Sequence, residues 1–367
     1  MVSLNLVGDI GLFREYQVKG IDPFAEITLP GSDFCVGNFE FIIPNNRAKY
    51  FFDTQEEYAM DYEYFRSLNI GRFNAFGLAN NHCMDYGREG VEDLIKVFKD
   101  QEINYFGVGE EEFNVLKFNI QGITFALLGC VKKGRWSKSK EMPFGPDTYD
   151  PGRIIVMIKS LKASVDHVIV YPHFGTELVD IPDPIDVEHS RQFIDNGAIA
   201  VVGHHPHIIQ GIEKYKDGVI AYSLGSFIYI PENELGYSKN QGGNRDYSIC
   251  LSLKFDKTRL IGIEPVYYKY DRDLKIPIKT NDKNPYFIEL NDLIYNPKAY
   301  HKKVREVLFR REIVSFLQRF RKSPLSTVKH YANYLKISHI RKMFSWIMLT
   351  SVLIYSIHFY PIKGALV

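Results

Sequence analysis

The sequence predicts an α/β layered fold, and three observations lead to that class. Short apolar and β-branched runs alternate with stretches of helical spacing along most of its 367 residues. Chemically reactive side chains fall again and again just after the apolar runs. Finally, Gln121-Gly122 lies between two such runs and reads as a hairpin turn, so a mixed sheet, or two sheets packed face to face, is expected.

The elements follow in order. Residues 2–7 read as a strand and 34–36 as a second short apolar run. Residues 56–68 place Tyr58, Tyr62, Phe65 and Leu68 at helical spacing. Residues 73–78 are strand-like, and 91–98 return to helical spacing. Residues 117–120 and 124–129 flank the hairpin turn. Residues 165–171 form a strand rich in β-branched types. Residues 187–194 are expected as helix, and 199–202, 219–223 and 248–255 as strands.

Composition bounds the rest. Hydrophobic residues make up 45% of the chain, enough for one large core, or for one large domain plus an accessory piece. A net charge of +1 gives the molecule as a whole no bias toward nucleic acid. Cys35, Cys83, Cys130 and Cys250 are scattered without paired spacing. That argues against a disulfide framework and a thiolate zinc site, and it fits a reducing compartment, so a cytoplasmic setting is expected. Strand-like residues stand where a secretory leader would begin, so no signal peptide is expected.

Past residue 270 the character changes. Residues 271–283 are charged and carry Pro277, so a domain over 1–270 is expected to be followed by a linker over 271–296. Residues 297–321 read as a helix, with Val304, Val307, Leu308, Ile313, Phe316 and Leu317 on one side. Pro297 suits its first turn, and Ser323-Pro324 breaks it. Residues 302–342 hold about a dozen Lys and Arg against Glu306 and Glu312 alone, which makes 297–342 a basic helical extension. Residues 343–362 then run for about 20 positions without formal charge, long enough to cross a bilayer. The preceding basic cluster suits the cytoplasmic side. Ser345, Thr350, Ser351, Ser356 and His358 dilute the apolarity. The expectation for 343–367 is therefore an apolar tail in contact with the inner face of a membrane; the alternative is a buried or interfacial helix.

Several loops carry chemistry. Gly8-Asp9 follows the first strand, where open α/β sheets place ligands. Glu40 in Val36-Gly37-Asn38-Phe39-Glu40 repeats the arrangement after the second. Alone, the first is a common turn and the second a helix cap or loop acid. The stretch from Ala79 to Gly87 is more specific: Asn81 offers a neutral oxygen ligand, His82 beside it can supply or accept a proton, and Asp85 is close enough to orient that imidazole. His173 ends another strand, although buried structural histidines are common. Gly203-His204-His205-Pro206-His207 is the strongest local signal, because three imidazoles so close together are costly to bury without partners. In an extended segment His205 and His207 face one way and His204 the other. Two carboxylates, one amide and three histidines at successive strand ends suit two divalent ions, with Mn, Fe or Zn as the metals. Such a site makes a hydroxide from water near neutral pH, and phosphate esters are the usual substrates. Lys132, Lys133 and Arg135 form a basic loop that either holds an anionic substrate or is simply solvated. Glu177 and Asp180 are candidates for the outer shell of the site, beyond the ligands themselves.

These motifs resemble the CapA family of bacterial capsule and poly-γ-glutamate synthesis proteins, within the calcineurin-like metallophosphoesterase superfamily. The matching stretches are Gly8-Asp9, Asn38-Phe39-Glu40, Leu78 to His82 with Asp85-Tyr86-Gly87, His173-Phe174-Gly175, Gly203 to His207, and Tyr222 to Phe227. The resemblance implies a four-layer α/β/β/α fold with mixed sheets. It implies Asp9, Glu40, Asn81, His173, His205 and His207 as metal ligands, and His82 as general acid toward the leaving group. It departs at Gly11, where the superfamily usually has a further ligand, and at Phe39, Phe174 and Ser226. The implied function is a metal-dependent, phosphoesterase-like hydrolase in capsule, exopolysaccharide or poly-γ-glutamate biosynthesis. Its expected partners are an anionic polymer or phosphoester, capsule-synthesis machinery and a membrane surface. Two alternatives stand beside it: a non-catalytic, membrane-associated component with a structural metal site, and amide-bond chemistry on polyglutamate.

Overall fold

The first strand, β1 (Val2–Ile10), is buried almost throughout. A central strand covered on both faces reads as a near-continuous apolar run, and this one does. The computed structural model describes residues 1–12, 14–45, 59–110, 112–132, 143–228, 243–281 and 285–322. The chain divides into two units, Met1–Tyr300 and His301–Val367. Within the second, the described residues are helical.

After β1 come α1 (Arg14–Lys19), β2 (Phe34–Phe39), α2 (Tyr62–Ser67), β3 (Ala75–Gly77), α3 (Gly87–Asp100) and β4 (Asn104–Phe106). Then follow β5 (Val108–Gly109), β6 (Leu116–Ile120), β7 (Ile123–Val131), β8 (Gly145–Pro146), α4 (Pro151–Lys162), β9 (His167–His173) and α5 (Pro184–Asp195). The chain continues through β10 (Ala200–Val202), β11 (Ile212–Tyr215), β12 (Gly218–Ala221), β13 (Ser226–Ile228), β14 (Tyr247–Phe255), β15 (Leu260–Asp271) and β16 (Ile276–Lys279). It ends, as far as described, in α6 (Pro285–Tyr295) and α7 (Pro297–Lys322).

Two mixed sheets result. The first runs β16-β15-β14-β1-β2-β3-β4, with β13 beside β1; the second runs β11-β12-β10-β9-β7-β6. Between them lies one apolar layer. Leu4, Leu6, Val36, Leu251 and Leu253 reach into it from the first sheet, and Phe125, Leu127, Ile169, Val202 and Ala221 from the second. The outer face of the first sheet is covered by α2 and α3. Phe65 of α2 and Val91, Leu94 and Phe98 of α3 join Ile10, Phe39 and Phe76 in a second apolar layer. On the other side, α4 and α5 pack on the second sheet through Ile154, Ile158 and Phe193. The protein is thus a four-layer α/β/β/α sandwich with mixed sheets.

Local chemistry explains the elements. In the β6–β7 hairpin, Gln121 and Gly122 have φ of 51° and 80°, the left-handed pair that a two-residue turn matching strand twist requires. Helix α4 starts on Pro151, and the Asp150 carboxylate accepts from the Arg153 amide.

Residues 271–296, expected as a linker, are instead part of the first unit. Asp271 Oδ1 accepts from the amides of Asp273 and Leu274, so the charged run is a turn. The strand after it, β16, lies at the sheet edge, where Pro277 has no ladder bond to lose. Helix α6 buries Phe287, Leu290 and Ile294. Residues 343–367, expected to contact a membrane, lie outside the described residues. Among the described ones, no helix is long and apolar enough to cross a membrane.

Candidate metal centre

The parallel strands β1, β2 and β3 of one sheet and β9 and β10 of the other carry their chemistry at their carboxyl ends. Asp9 lies in the last turn of pleat of β1, and Glu40 directly follows β2. Asn81 and His82 lie in the turn beyond β3, His173 ends β9, and His205 and His207 follow β10. Crevices at such strand ends are where open α/β sheets bind ligands. Gly8 is needed for the approach, since a Cβ there would stand 1.9 Å from the Gly225 carbonyl oxygen. The Asp9 amide donates to that same carbonyl over 3.0 Å.

The side chains converge. His207 Nδ1 lies 3.1 Å from Asp9 Oδ2, and His207 Nε2 lies 3.7 Å from Glu40 Oε1. His173 Nε2 lies 3.4 Å from Glu40 Oε1 and 2.7 Å from Asn81 Oδ1. Two groups have ligand atoms all within 4.8 Å of one another: Glu40, His173 and His205, and Asp9, Glu40 and His207. Glu40 belongs to both. Asp9 and Glu40 are wholly buried and His173 nearly so. Beside the cluster, His82 Nδ1 lies 2.8 Å from Asp85 Oδ2. The His82 amide donates to Asn80 Oδ1, and Asn80 Nδ2 donates to the Phe39 carbonyl, which ties this turn to the β2 end.

The electrostatics of the pocket tests whether a cation fits it. Burial pushes Glu40 up to about 8, against the pull of His207, and the Asp9 charge adds to the rise. Burial also acts against ionised Asp9, yet the imidazoles of His204 and His207 hold it well below the usual carboxylate range. His173 and His205 are driven well below the ordinary histidine value by burial, and the latter also by His173. Burial would lower His207 as well, but Glu40 and Asp9 lift it to about 9. His82 is raised, because Asp85 outweighs its burial. Glu40 Oε1 and His205 Nδ1 are buried with no hydrogen-bond partner among the described residues. A divalent cation among these atoms would ionise Glu40, keep the imidazoles neutral and satisfy the orphaned oxygen. The donor set therefore fits divalent metal ions.

Two side chains depart from expectation. His204, expected to point away from the site, is buried with Nδ1 3.4 Å from Asp9 Oδ1. The alternation rule fails because the segment is not extended: His205 and His207 have φ of 99° and 56°. Lys132, considered as an anion-binding residue, is occupied elsewhere. Its Nζ donates to both oxygens of Asp186, over 2.8 and 3.0 Å. Lys133 and Arg135 lie outside the described residues.

Asn38, and Glu177 from the outer-shell candidates, also stand at the pocket. Asn38 Nδ2 reaches Asp9 Oδ1 at 2.8 Å, Glu40 Oε2 at 3.4 Å and His173 Nδ1 at 3.3 Å. Its sequence signal is its place two residues before Glu40. Glu177 Oε1 stands 4.0 Å from His205 Nε2, on an exposed side chain two residues beyond Gly175. Gly11 contributes only backbone, its amide donating to the Ile228 carbonyl over 2.6 Å.

Known proteins resemble this chain. Capsule biosynthesis protein CapA of Bacillus anthracis is 30% identical over 250 residues, covering 62% of this chain and 60% of the relative. PGA biosynthesis protein CapA of Bacillus subtilis is 31% identical over 241 residues, covering 62% and 63%. A probable polyglutamine synthesis accessory protein of Mycobacterium tuberculosis is 24% identical over 237 residues, covering 60% and 62%. The chain thus spans about three fifths of the length of the curated relatives it matches. Among solved structures, a putative 5′-nucleotidase of Staphylococcus aureus aligns at a TM-score of 0.42 with 12% identity, covering 80% of this chain and 58% of that one. The family model described as bacterial capsule synthesis protein PGA_cap matches residues 3–230, which hold every side chain of the pocket, and the chain belongs to that family.

Proposed function

We propose that this chain is a metal-dependent, phosphoesterase-like hydrolase that acts in making a capsule, exopolysaccharide or poly-γ-glutamate polymer. One observation carries the reading. Two overlapping ligand groups share Glu40, and an imidazole–carboxylate pair, His82 with Asp85, stands beside them. Asp9, Glu40, Asn81, His173, His205 and His207 would hold the ions, with Mn, Fe and Zn all suited to this mixture of oxygen and nitrogen donors. When bound, such ions supply Lewis-acid polarisation of the ester and a lowered pKa for water.

The rest falls to the chain. Asp85, bonded at Nδ1, would orient the His82 ring, and the imidazole would carry the proton. His82 would give that proton to the leaving oxygen as the ester bond breaks, while water supplies the attacking oxygen. Asn81 and His173, joined at 2.7 Å, set the position of the turn from which His82 projects. The substrate expected is an anionic polymer or phosphoester, and the curated relatives named for capsule and PGA biosynthesis support that setting.

The test is turnover of a model phosphodiester by purified protein supplied with Mn²⁺. Metal-dependent hydrolysis that is lost in His82→Ala is expected. No turnover, together with undiminished polymer in a strain carrying His82→Ala, would overturn the reading. A second reading, a non-catalytic component of the polymer machinery with a structural metal site, draws on Gly11, which has no side chain to offer a ligand. It predicts bound metal without turnover.

A further inference from the structure

Asp9 is held from two directions. Its Oδ2 faces the ligand side, with His207 Nδ1 at 3.1 Å and the His205 amide at 3.3 Å. Its Oδ1 faces the other way, toward Asn38 Nδ2 at 2.8 Å and His204 Nδ1 at 3.4 Å. His204 belongs to neither ligand group. It is 1% exposed, and its ring packs on Tyr171 with centroids 4.0 Å apart. Tyr171 is itself anchored, its hydroxyl donating to the Val7 carbonyl two residues before Asp9. The backbone adds a second link, because His204 forms a bridge with His173 and its amide donates to the Pro172 carbonyl over 3.0 Å. The two ring nitrogens of His204 have no hydrogen-bond partner among the described residues. A buried imidazole N–H left unpaired is costly, and the Asp9 carboxylate within reach is the acceptor that relieves it.

We propose that His204 is a positioning residue for the metal centre, holding Asp9 Oδ1 so that Oδ2 is aimed at the ions. Carboxylates that bind metal are commonly held by hydrogen bonds of this kind, and losing such a partner costs about 10–100-fold in metal affinity. Packing alone would need only a flat ring at this place. The proposal needs a donor at the Nδ1 position, and it rests on the metal-site reading above.

The experiment separates ring from donor. Full-length protein, stripped by chelator, is titrated calorimetrically with Mn²⁺ as wild type, His204→Phe and His204→Asn. Phenylalanine keeps the stack on Tyr171, whereas asparagine keeps a donor near the Nδ1 position. The expected result is a loss of about 10–100-fold in Mn²⁺ affinity for His204→Phe, with the thermal midpoint of the metal-free protein unchanged. His204→Asn should recover most of the affinity. Wild-type affinity in His204→Phe overturns the proposal. So does an equal loss in both variants that follows a fall in metal-free stability. Wild-type protein that binds no Mn²⁺ overturns the metal-site reading itself, a distinct outcome. If His204→Phe does not fold, long-range ¹H–¹⁵N correlation on histidine-labelled wild type decides. A hydrogen on His204 Nδ1 is expected, and a bare Nδ1 sinks the assignment.

Discussion

The side-chain amide of Asn38 donates to Asp9 Oδ1 over 2.8 Å. The same nitrogen lies within 3.4 Å of Glu40 Oε2 and 3.3 Å of His173 Nδ1. Its orientation follows from charge, since the amide oxygen would be repelled by two carboxylates. One uncharged donor thus touches three of the residues assigned to the metals. Asn38→Leu keeps the volume and removes the donor. Metal affinity should fall about 10–100-fold, measured by titration with Mn²⁺. Unchanged affinity would show that the amide only fills space.

The two ligand groups make different demands. His205 belongs to the one with Glu40 and His173, and His207 to the one with Asp9 and Glu40. His205→Ala and His207→Ala should each lose one ion and keep the other more weakly, whereas Glu40→Ala should lose both. Metal analysis of the purified variants checks this. A variant of Glu40 that retains a full complement would show that the shared carboxylate is not a ligand.

His82 and Asp85 should separate chemistry from metal binding. Neither belongs to a ligand group, and they meet each other at 2.8 Å. His82→Ala should lower turnover of a metal-dependent reaction about 10²–10⁴-fold while metal content stays constant. Asp85→Asn should cost less, because the ring keeps a hydrogen-bond partner but loses the charge that favours its protonated form. Equal losses of metal in these variants would place His82 among the ligands instead.

Much of this was legible in the sequence, for a physical reason. A sandwich whose sheets are covered on both faces writes its strands as apolar runs, and β1, β7 and β9 each announce themselves that way. The reactive residues then sit where those runs stop. What escaped was geometry that no local pattern encodes. An extended backbone would turn His204 outward, and the positive φ at His205 and His207 breaks that alternation. Asn38 stands beside Glu40 in its motif, but an uncharged amide inside a strand shows its contacts with Asp9 and His173 only once the fold brings them together. Residues 271–296 looked like a linker because charge and proline describe an edge hairpin equally well. The pairing of β13 with β1, which brings Gly225 against Gly8, depends on contacts far apart in the chain.

That contact gives a stability prediction. A Cβ on Gly8 would lie 1.9 Å from the Gly225 carbonyl oxygen, a backbone atom that cannot swing aside. Gly8→Ala must therefore part β1 from the Ser223–Ser226 segment and displace Asp9 with it. The expected cost is roughly 3 kcal/mol, seen as a lowered urea midpoint, with metal affinity falling alongside. A variant with wild-type stability would mean that this approach is looser than described.

His167 gives the pH dependence at the far end of β9 from the metal pocket. Its Nε2 meets the Asp256 carbonyl at 2.7 Å, and its ring packs between Phe125 and Phe255 with centroids 5.3 and 5.0 Å away. Burial holds its pKa below the ordinary value of 6.5, and the Lys162 charge adds to this; the carbonyl and the charges of Asp166 and Asp256 oppose it without prevailing. Below pH 6.5 the unfolded chain therefore takes up a proton that the folded chain refuses. Unfolding is favoured progressively as pH falls through that value, and the effect levels off once the folded imidazole is also charged. Stability contributed here is present above the unfolded pKa and lost on the acid side. His167→Gln retains a donor for the Asp256 carbonyl and cannot titrate. Urea midpoints measured from pH 7.5 down to about 5 should thus fall less steeply for the variant than for the wild type. Parallel slopes would show that the ring charges as readily folded as unfolded, and that its burial between the two phenylalanines is not what the geometry describes.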